Sequence, residues 1–321
     1  MNLARVVLAL LTLGLVACGP SPDPTYLVTK SRILGVRYTA AGDPMRTNAR
    51  PGETIAGEFI LTSPVVGEQN GWVFLFCTPA PTAFGFDFCE DEPFAFVGEA
   101  TAVDGPPRFE IEIPEDIPGD VLILGGVCMG GDAQIDIDPE GADEGDLNPC
   151  VDQGVGQLIS GVLTVVREDN DENRPPAISA IRFDGADWTA EPPVERTGCA
   201  GGDLPTFRAS DSTNYVIEVE AAEGSREDFI DMRADQTEAA VEDLPVAFYS
   251  TEMGLDGLFS VIDGDPGDEA FEATVIANRE FTPSEIESSV DATGLVVSFD
   301  IVMRDDRGGV DRARRAICII P

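Results

Sequence analysis

Between Cys128 and Cys150 the chain carries Asp132, Asp136, Asp138, Glu140, Asp143, Glu144 and Asp146, and neither Lys nor Arg. Like charges crowded into one loop repel strongly unless counterions gather. Carboxylate oxygens at alternate positions suit Ca²⁺, a hard cation that takes oxygen ligands. Asp136, Asp138, Glu140, Asp143 and Asp146 are therefore the candidate ligands of a calcium site. In Asp136-Ile137-Asp138-Pro139-Glu140-Gly141 the Gly falls sixth, where a calcium loop turns. Leu147 stands twelfth, where such a loop needs a bidentate Glu. A solvated acidic loop between two strands is the competing reading. Asp263-Gly264-Asp265-Pro266-Gly267-Asp268-Glu269 is a second acidic run, but Asp-Gly and Pro-Gly pairs are ordinary turn chemistry.

Other reacting groups are scarce. The chain has no His, which removes Ser–His and Cys–His nucleophile pairs, imidazole bases and most zinc or iron sites. Lys30 is the only Lys, and Leu27 stands three residues before it, so a Ser-x-x-Lys dyad fails. Neither Gly-x-Ser-x-Gly nor a Lys-bearing phosphate loop occurs. With 59 acids, a carboxylate pair in the sequence says nothing about hydrolysis. The expectation is a protein that is not an enzyme, with no catalytic residue and no cofactor other than Ca²⁺.

The cysteines carry the remaining chemistry. Cys18 stands apart, and Cys77, Cys89, Cys128, Cys150, Cys199 and Cys318 make an even set, which in an exported protein implies disulfides. Six cysteines permit many connectivities, and the order-preserving one is expected. Cys77–Cys89 would close a short loop after a strand, Cys128–Cys150 a loop between two strands, and Cys199–Cys318 would tie the start of a second domain to its last strand. Each could stabilise its domain by roughly 2–4 kcal/mol. No pair has Cys-x-x-Cys spacing, which speaks against a redox role.

The export expectation comes from the N-terminus. Arg5 precedes an apolar run, Val6–Val16, that is too short to cross a bilayer as a helix. It ends in Leu15-Val16-Ala17-Cys18, which resembles the lipobox of bacterial lipoproteins. The resemblance implies a signal peptide over 1–17 and a lipid anchor on Cys18. It also implies that Gly19, which is not the Asp of inner-membrane retention, directs the protein to the outer membrane, facing the periplasm or the cell surface. Residues 18–30, with prolines at 20, 22 and 24, read as the lipidated Cys and a tether.

Hydrophobic residues make up 43% of the chain, enough for real cores. The net charge of −39 repels nucleic acid and anionic headgroups. Period-2 alternation marks antiparallel strands with one wet face. Phe109, Ile111 and Ile113 oppose Arg108, Glu110 and Glu112. Tyr215, Ile217 and Val219 oppose Glu218 and Glu220. Leu295, Val297, Phe299, Ile301 and Met303 oppose Ser298, Asp300 and Arg304. Further strands are expected over Ile33–Tyr38, Glu58–Leu61, Trp72–Cys77, Val121–Cys128, Leu158–Val166, Ile178–Phe183, Val246–Ser250, Phe271–Ile276 and Ala313–Ile320. Helix is expected only within Ser225–Leu244 and as one turn at Pro283-Ser284-Glu285. The stretch 167–176 has no apolar residue before its prolines and reads as an acidic linker that lets two domains move, 31–166 and 177–321.

Each flank of the linker holds about seven strands, the count of an immunoglobulin-like sandwich. Two stretches carry a closer resemblance. Phe299–Asp311, a strand and an Asp/Gly turn into a closing strand, resembles the last hairpin of bacterial Ig-like and cadherin-like domains. Arg50-Pro51-Gly52-Glu53 before a strand resembles their first turn. The chain is thus similar to envelope lipoproteins with tandem Ig-like domains. That implies an all-β fold of two antiparallel β-sandwiches and a role in interaction, adhesion or assembly. The partner would be an envelope protein or a glycan, with the membrane held through the lipid. The alternative is a small-molecule or glycan-binding lipoprotein, stabilised by calcium at the acidic loop, using Trp72, Phe74, Phe76, Phe84, Phe86 and Phe88. Their alternating spacing fits core better than a sugar platform.

Overall fold

The computed structural model describes residues 24–64, 67–80, 88–134, 148–151, 154–166, 172–193, 198–199, 203–231, 238–263, 276–305 and 307–321. Among them the fold is all-β, with no α-helix.

Among the described residues seven strands precede residue 166: β1 (Arg32–Ala40), β2 (Thr54–Thr62), β3 (Gln69–Cys77), β4 (Ala95–Asp104), β5 (Arg108–Glu112), β6 (Val121–Met129) and β7 (Val155–Leu163). They form two antiparallel sheets, ordered β1-β2-β5 and β4-β3-β6-β7. Both sheets feed one core. In β5 the alternation works as the sequence implies, with Phe109 and Ile111 buried and Arg108, Glu110 and Glu112 exposed. The Phe59 and Phe74 rings stack across the core at 4.6 Å, and Phe109 meets both edge-on. Gly57 makes room for that ring, since a Cβ there would lie 2.2 Å from it. Trp72, Phe74 and Phe76 are buried in this core, whereas Phe88 is exposed. Phe84 and Phe86 lie outside the described residues.

Eleven described strands follow: β8 (Ile178–Phe183), β9 (Ala186–Asp187), β10 (Thr206–Arg208), β11 (Tyr215–Ala221), β12 (Asp228–Asp231), β13 (Glu238–Val241), β14 (Leu244–Ser250), β15 (Phe259–Ile262), β16 (Ile276–Phe281), β17 (Leu295–Arg304) and β18 (Val310–Ile320). Two sheets, β16-β11-β8-β9 and β10-β18-β17-β14-β15, again enclose one core, and β12-β13 stand apart as a two-stranded sheet. The two halves share a strand order. The order β1-β2-β5 matches β8-β11-β16, and β7-β6-β3-β4 matches β18-β17-β14-β15. Each half also has a parallel contact on its last strand or just beyond it. β10 pairs with Cys318–Ile320, and Ala49 bridges to Val165 just beyond β7.

Four expectations change. No helix occurs in the described part of 225–244. Instead β12 and β13 pair antiparallel, Phe229 opposite Ala240 and Ile230 opposite Ala239. The hairpin is closed at its base by Glu242 N–H donating to Glu227 O, and these non-local bonds override a local helical composition. The one helical turn expected at Pro283–Glu285 is a 3-10 turn.

The second change concerns the tether over 18–30, whose end is packed. Tyr26, Leu27 and Val28 are buried, Val28 N–H donates to Ser250 O at 2.8 Å, and Ser250 N–H returns a bond to Tyr26 O. The apolar Tyr-Leu-Val triplet supplies the burial that the prolines before it cannot. Third, the described part of the acidic linker, 172–176, is also docked. Asn173 is fully buried, its amide N–H on Asn48 Oδ1 and its side-chain nitrogen on Thr47 Oγ1 and Asp305 Oδ2.

Fourth, the polar face of β17 is not wet, because Ser298 and Asp300 are buried. The first half covers that face. Val28, Leu34 and Ile60 pack with Ala247, Tyr249, Val302 and Val310 in one apolar cluster. Arg304 Nη2 donates to Leu34 O, and Thr62 Oγ1 donates to Asp300.

Candidate functional site

Beside this junction lies a cleft of about 500 Å³ between β8 and β18. Among the described residues neither facing edge is taken up by a neighbouring strand along its whole length. β9 pairs only with Arg182 and Phe183 of β8, and β10 only with Cys318–Ile320 of β18. Between these partners, residues 178–181 and 311–315 line the opening, with Arg37 of β1 at one end and Glu191 at the other.

The sequence of β18 dictates what the cleft presents. In Asp311-Arg312-Ala313-Arg314-Arg315, Arg312 and Arg314 fall on one face and Arg315 on the other. Arg314 is directly opposite Asp300 in the β17 ladder, so its guanidinium and that carboxylate share a face. Arg312 Nε donates to Asp300 Oδ1 at 2.8 Å, with Nη2 on the same oxygen, while Arg314 Nε lies 3.3 Å from it. Thr62 takes the other oxygen. One buried carboxylate thus seats two guanidinium groups. Among the described residues Arg314 Nε is buried and has no hydrogen-bond partner.

Asp311 forms the floor. It accepts Ile178 N–H at 2.9 Å and Arg312 N–H at 2.8 Å, and Arg37 Nη2 approaches at 3.5 Å. Arg315 leaves the core face along the open edge, its Nε on Trp188 O and its Nη1 on Arg314 O at 2.7 Å. Burial draws the Arg315 pKa down, and Glu191 opposes that shift. Guanidinium groups fixed in this way are suited to binding oxyanions by paired N–H donors.

A second ionic group sits at the foot of the junction. Glu242 is fully buried, and Arg307 Nε reaches its Oε1 at 2.6 Å while Nη2 holds Glu227 at 2.7 Å. Burial pushes the Glu242 carboxyl up to about 7. The Arg307 contacts oppose the shift, and nearby Asp305 adds to it. Asp305 is likewise raised by burial, against the N–H groups of Gly309 and Arg307 and the Asn173 amide.

The residues singled out from sequence fall elsewhere. Cys18 and the calcium candidates Asp136, Asp138, Glu140, Asp143 and Asp146 lie outside the described residues. Asp132 is described, and its Oδ1 accepts Ala102 N–H. Among the described residues no three His, Cys, Asp or Glu side chains group as a metal requires. Disulfides join Cys77 to Cys89, Cys128 to Cys150 and Cys199 to Cys318, the order-preserving set. The arginine cleft was not foreseen. Its only local signal is Arg-x-Arg-Arg at 312–315, the densest run of bases in an acidic chain. The chain matches no family profile and no curated protein.

Proposed function

We propose that this chain is a non-enzymatic lipoprotein of the bacterial envelope, anchored through Cys18. Two Ig-like β-sandwiches, 31–166 and 177–321, act together as an interaction or assembly module. The shared strand order of the two halves supports the tandem sandwich reading, as does a parallel contact on or just beyond the last strand of each. The observation that carries the functional reading is the junction. Thr62, Leu34 and Asn173 lock the halves together through buried contacts, which suits a module that holds binding surfaces at fixed spacing. The docking of Tyr26–Val28 on Ser250 of β14 fits a chain tethered from its N-terminal side.

Cross-linking in living cells, followed by mass spectrometry of the captured species, tests this. Capture of one envelope protein in high yield, lost when the junction is broken by Asp300→Leu, is the expected result. Capture of glycan alone would replace the assembly reading with the glycan-binding one. Hydrolysis of any substrate in a panel, abolished by one Asp or Glu change, would overturn the non-enzymatic reading.

A further inference from the structure

We propose that the cleft between β8 and β18 is a binding site for an oxyanion, the carboxylate or phosphate group of a small ligand. The proposal stands apart from the assembly role and survives its failure. Charge singles the cleft out first. The chain carries −39, yet four of its arginines, Arg37, Arg312, Arg314 and Arg315, line one cleft whose lining, among the described residues, includes two carboxylates, Glu191 and Asp311. An acidic surface around a positive cleft confines the attraction for anions to that opening.

Second, the acids do not cancel the site. Asp311 turns its oxygens to Ile178 N–H, Arg312 N–H and Arg37, so it serves as floor. Asp300 lies behind, its side chain only 4% exposed, and one negative charge there faces two guanidinium groups. That arrangement fixes Arg312 and Arg314 while leaving a positive surplus toward the cleft. A carboxylate seated behind an arginine positions it without using all of its donors, because a guanidinium has five N–H groups.

Third, the donors are held in place. Arg315 is fixed by two carbonyls, and Arg312 by Asp300. Arg312 turns Nε and Nη2 to Asp300, and Arg314 Nε lies 3.3 Å from the same carboxylate. Donors fixed before the ligand arrives lose little side-chain entropy on binding. A cleft of about 500 Å³ accommodates a small molecule with one or two anionic groups.

Titration calorimetry of the full chain in detergent, at constant ionic strength, tests the proposal with inorganic pyrophosphate and citrate as probes. The expected result is saturable 1:1 binding of at least one probe with Kd below about 1 mM, weakened about tenfold or more by Arg314→Gln. Pyrophosphate binding alone assigns a phosphate ligand, and citrate binding alone a carboxylate ligand. Arg37→Gln should weaken binding as well; Arg37 sits at the rim, so this variant covers the case in which Arg314→Gln fails to fold. Arg208→Gln, outside the cleft, should bind like the parent. No saturation with either probe up to about 10 mM would overturn the proposal. So would an affinity that Arg314→Gln and Arg37→Gln leave unchanged.

Discussion

Thr62 Oγ1 donates a hydrogen bond to Asp300 Oδ2, although the two residues stand 238 positions apart in the chain. The bond joins the end of β2 in the first half to the middle of β17 in the second, and it completes the set of donors around a buried carboxylate. Arg312 and Arg314 occupy the other oxygen. Loss of Thr62 therefore touches both the junction and the seat of the arginine cleft.

Thr62→Val keeps the side-chain shape and removes the donor, so stability should fall by about 1–3 kcal/mol, the cost of leaving a buried acceptor short of a partner. Asp300→Leu removes the carboxylate beneath two guanidinium groups and should cost more, about 3–5 kcal/mol, since it leaves charge uncompensated. Urea unfolding followed by circular dichroism reads both. An unchanged midpoint for Thr62→Val would mean that the halves unfold without regard to this contact.

The three disulfides should differ in value according to the chain each closes. Cys199–Cys318 spans 119 positions and Cys77–Cys89 only 12. The loop-closure relation predicts that removing the long cross-link costs about 2 kcal/mol more than removing the short one. Paired Cys→Ala variants compared by thermal melting give the test. Equal losses would show that local packing, not chain entropy, sets the contribution of each.

The strands were legible wherever burial alternates with exposure. β5 and β11 read directly, and the period of β17 is correct from Leu295 to Met303. What covers its polar face is another matter. Ser298 and Asp300 look like solvent-facing residues because a period-2 pattern records polarity and not neighbours, and the neighbours here come from β1 and β2. β4 escaped notice for the opposite reason. It is an edge strand with Glu99 and Thr101 among small residues, so little of it is buried and it shows no apolar stripe. Tyr26–Val28 looked like the end of a proline tether, since three apolar residues are too few to announce a docking contact. The cleft was hidden because Arg37 reaches Asp311 only through the tertiary fold.

The proposed anchor has its own signature. Replacement of Cys18 by Ser removes the thiol that a diacylglycerol would take up, so labelling of cells with an alkyne fatty acid should mark the parent chain and leave Cys18→Ser unmarked. Several acyl chains hold a protein stably at a bilayer, because each buried CH₂ contributes about 0.8 kcal/mol. The labelled parent should therefore sediment with membranes even in high salt. Equal labelling of both chains would remove the lipobox reading.

Glu242 gives the junction a dependence on pH, and its sign follows from the direction of the shift. Its folded pKa is about 7, above the ordinary carboxylate value of 4.5, so the folded state holds the proton more tightly than the unfolded chain. Stability then falls as pH rises through the window from about 4.5 to about 7, and the full cost of an ionised, buried Glu242 is present above it. A shift of this size corresponds to at most about 3 kcal/mol. Asp305 shifts in the same direction through burial and adds to the fall. Arg307 limits the effect, since its Nε lies 2.6 Å from Glu242 Oε1 and favours the ionised form. Glu242→Gln removes the titration while retaining an acceptor for Arg307. Its melting temperature should change less between pH 5 and pH 7 than that of the parent. A parent whose stability rises across that interval, with Glu242→Gln following the same course, would show that the Arg307 pairing outweighs burial at this carboxylate.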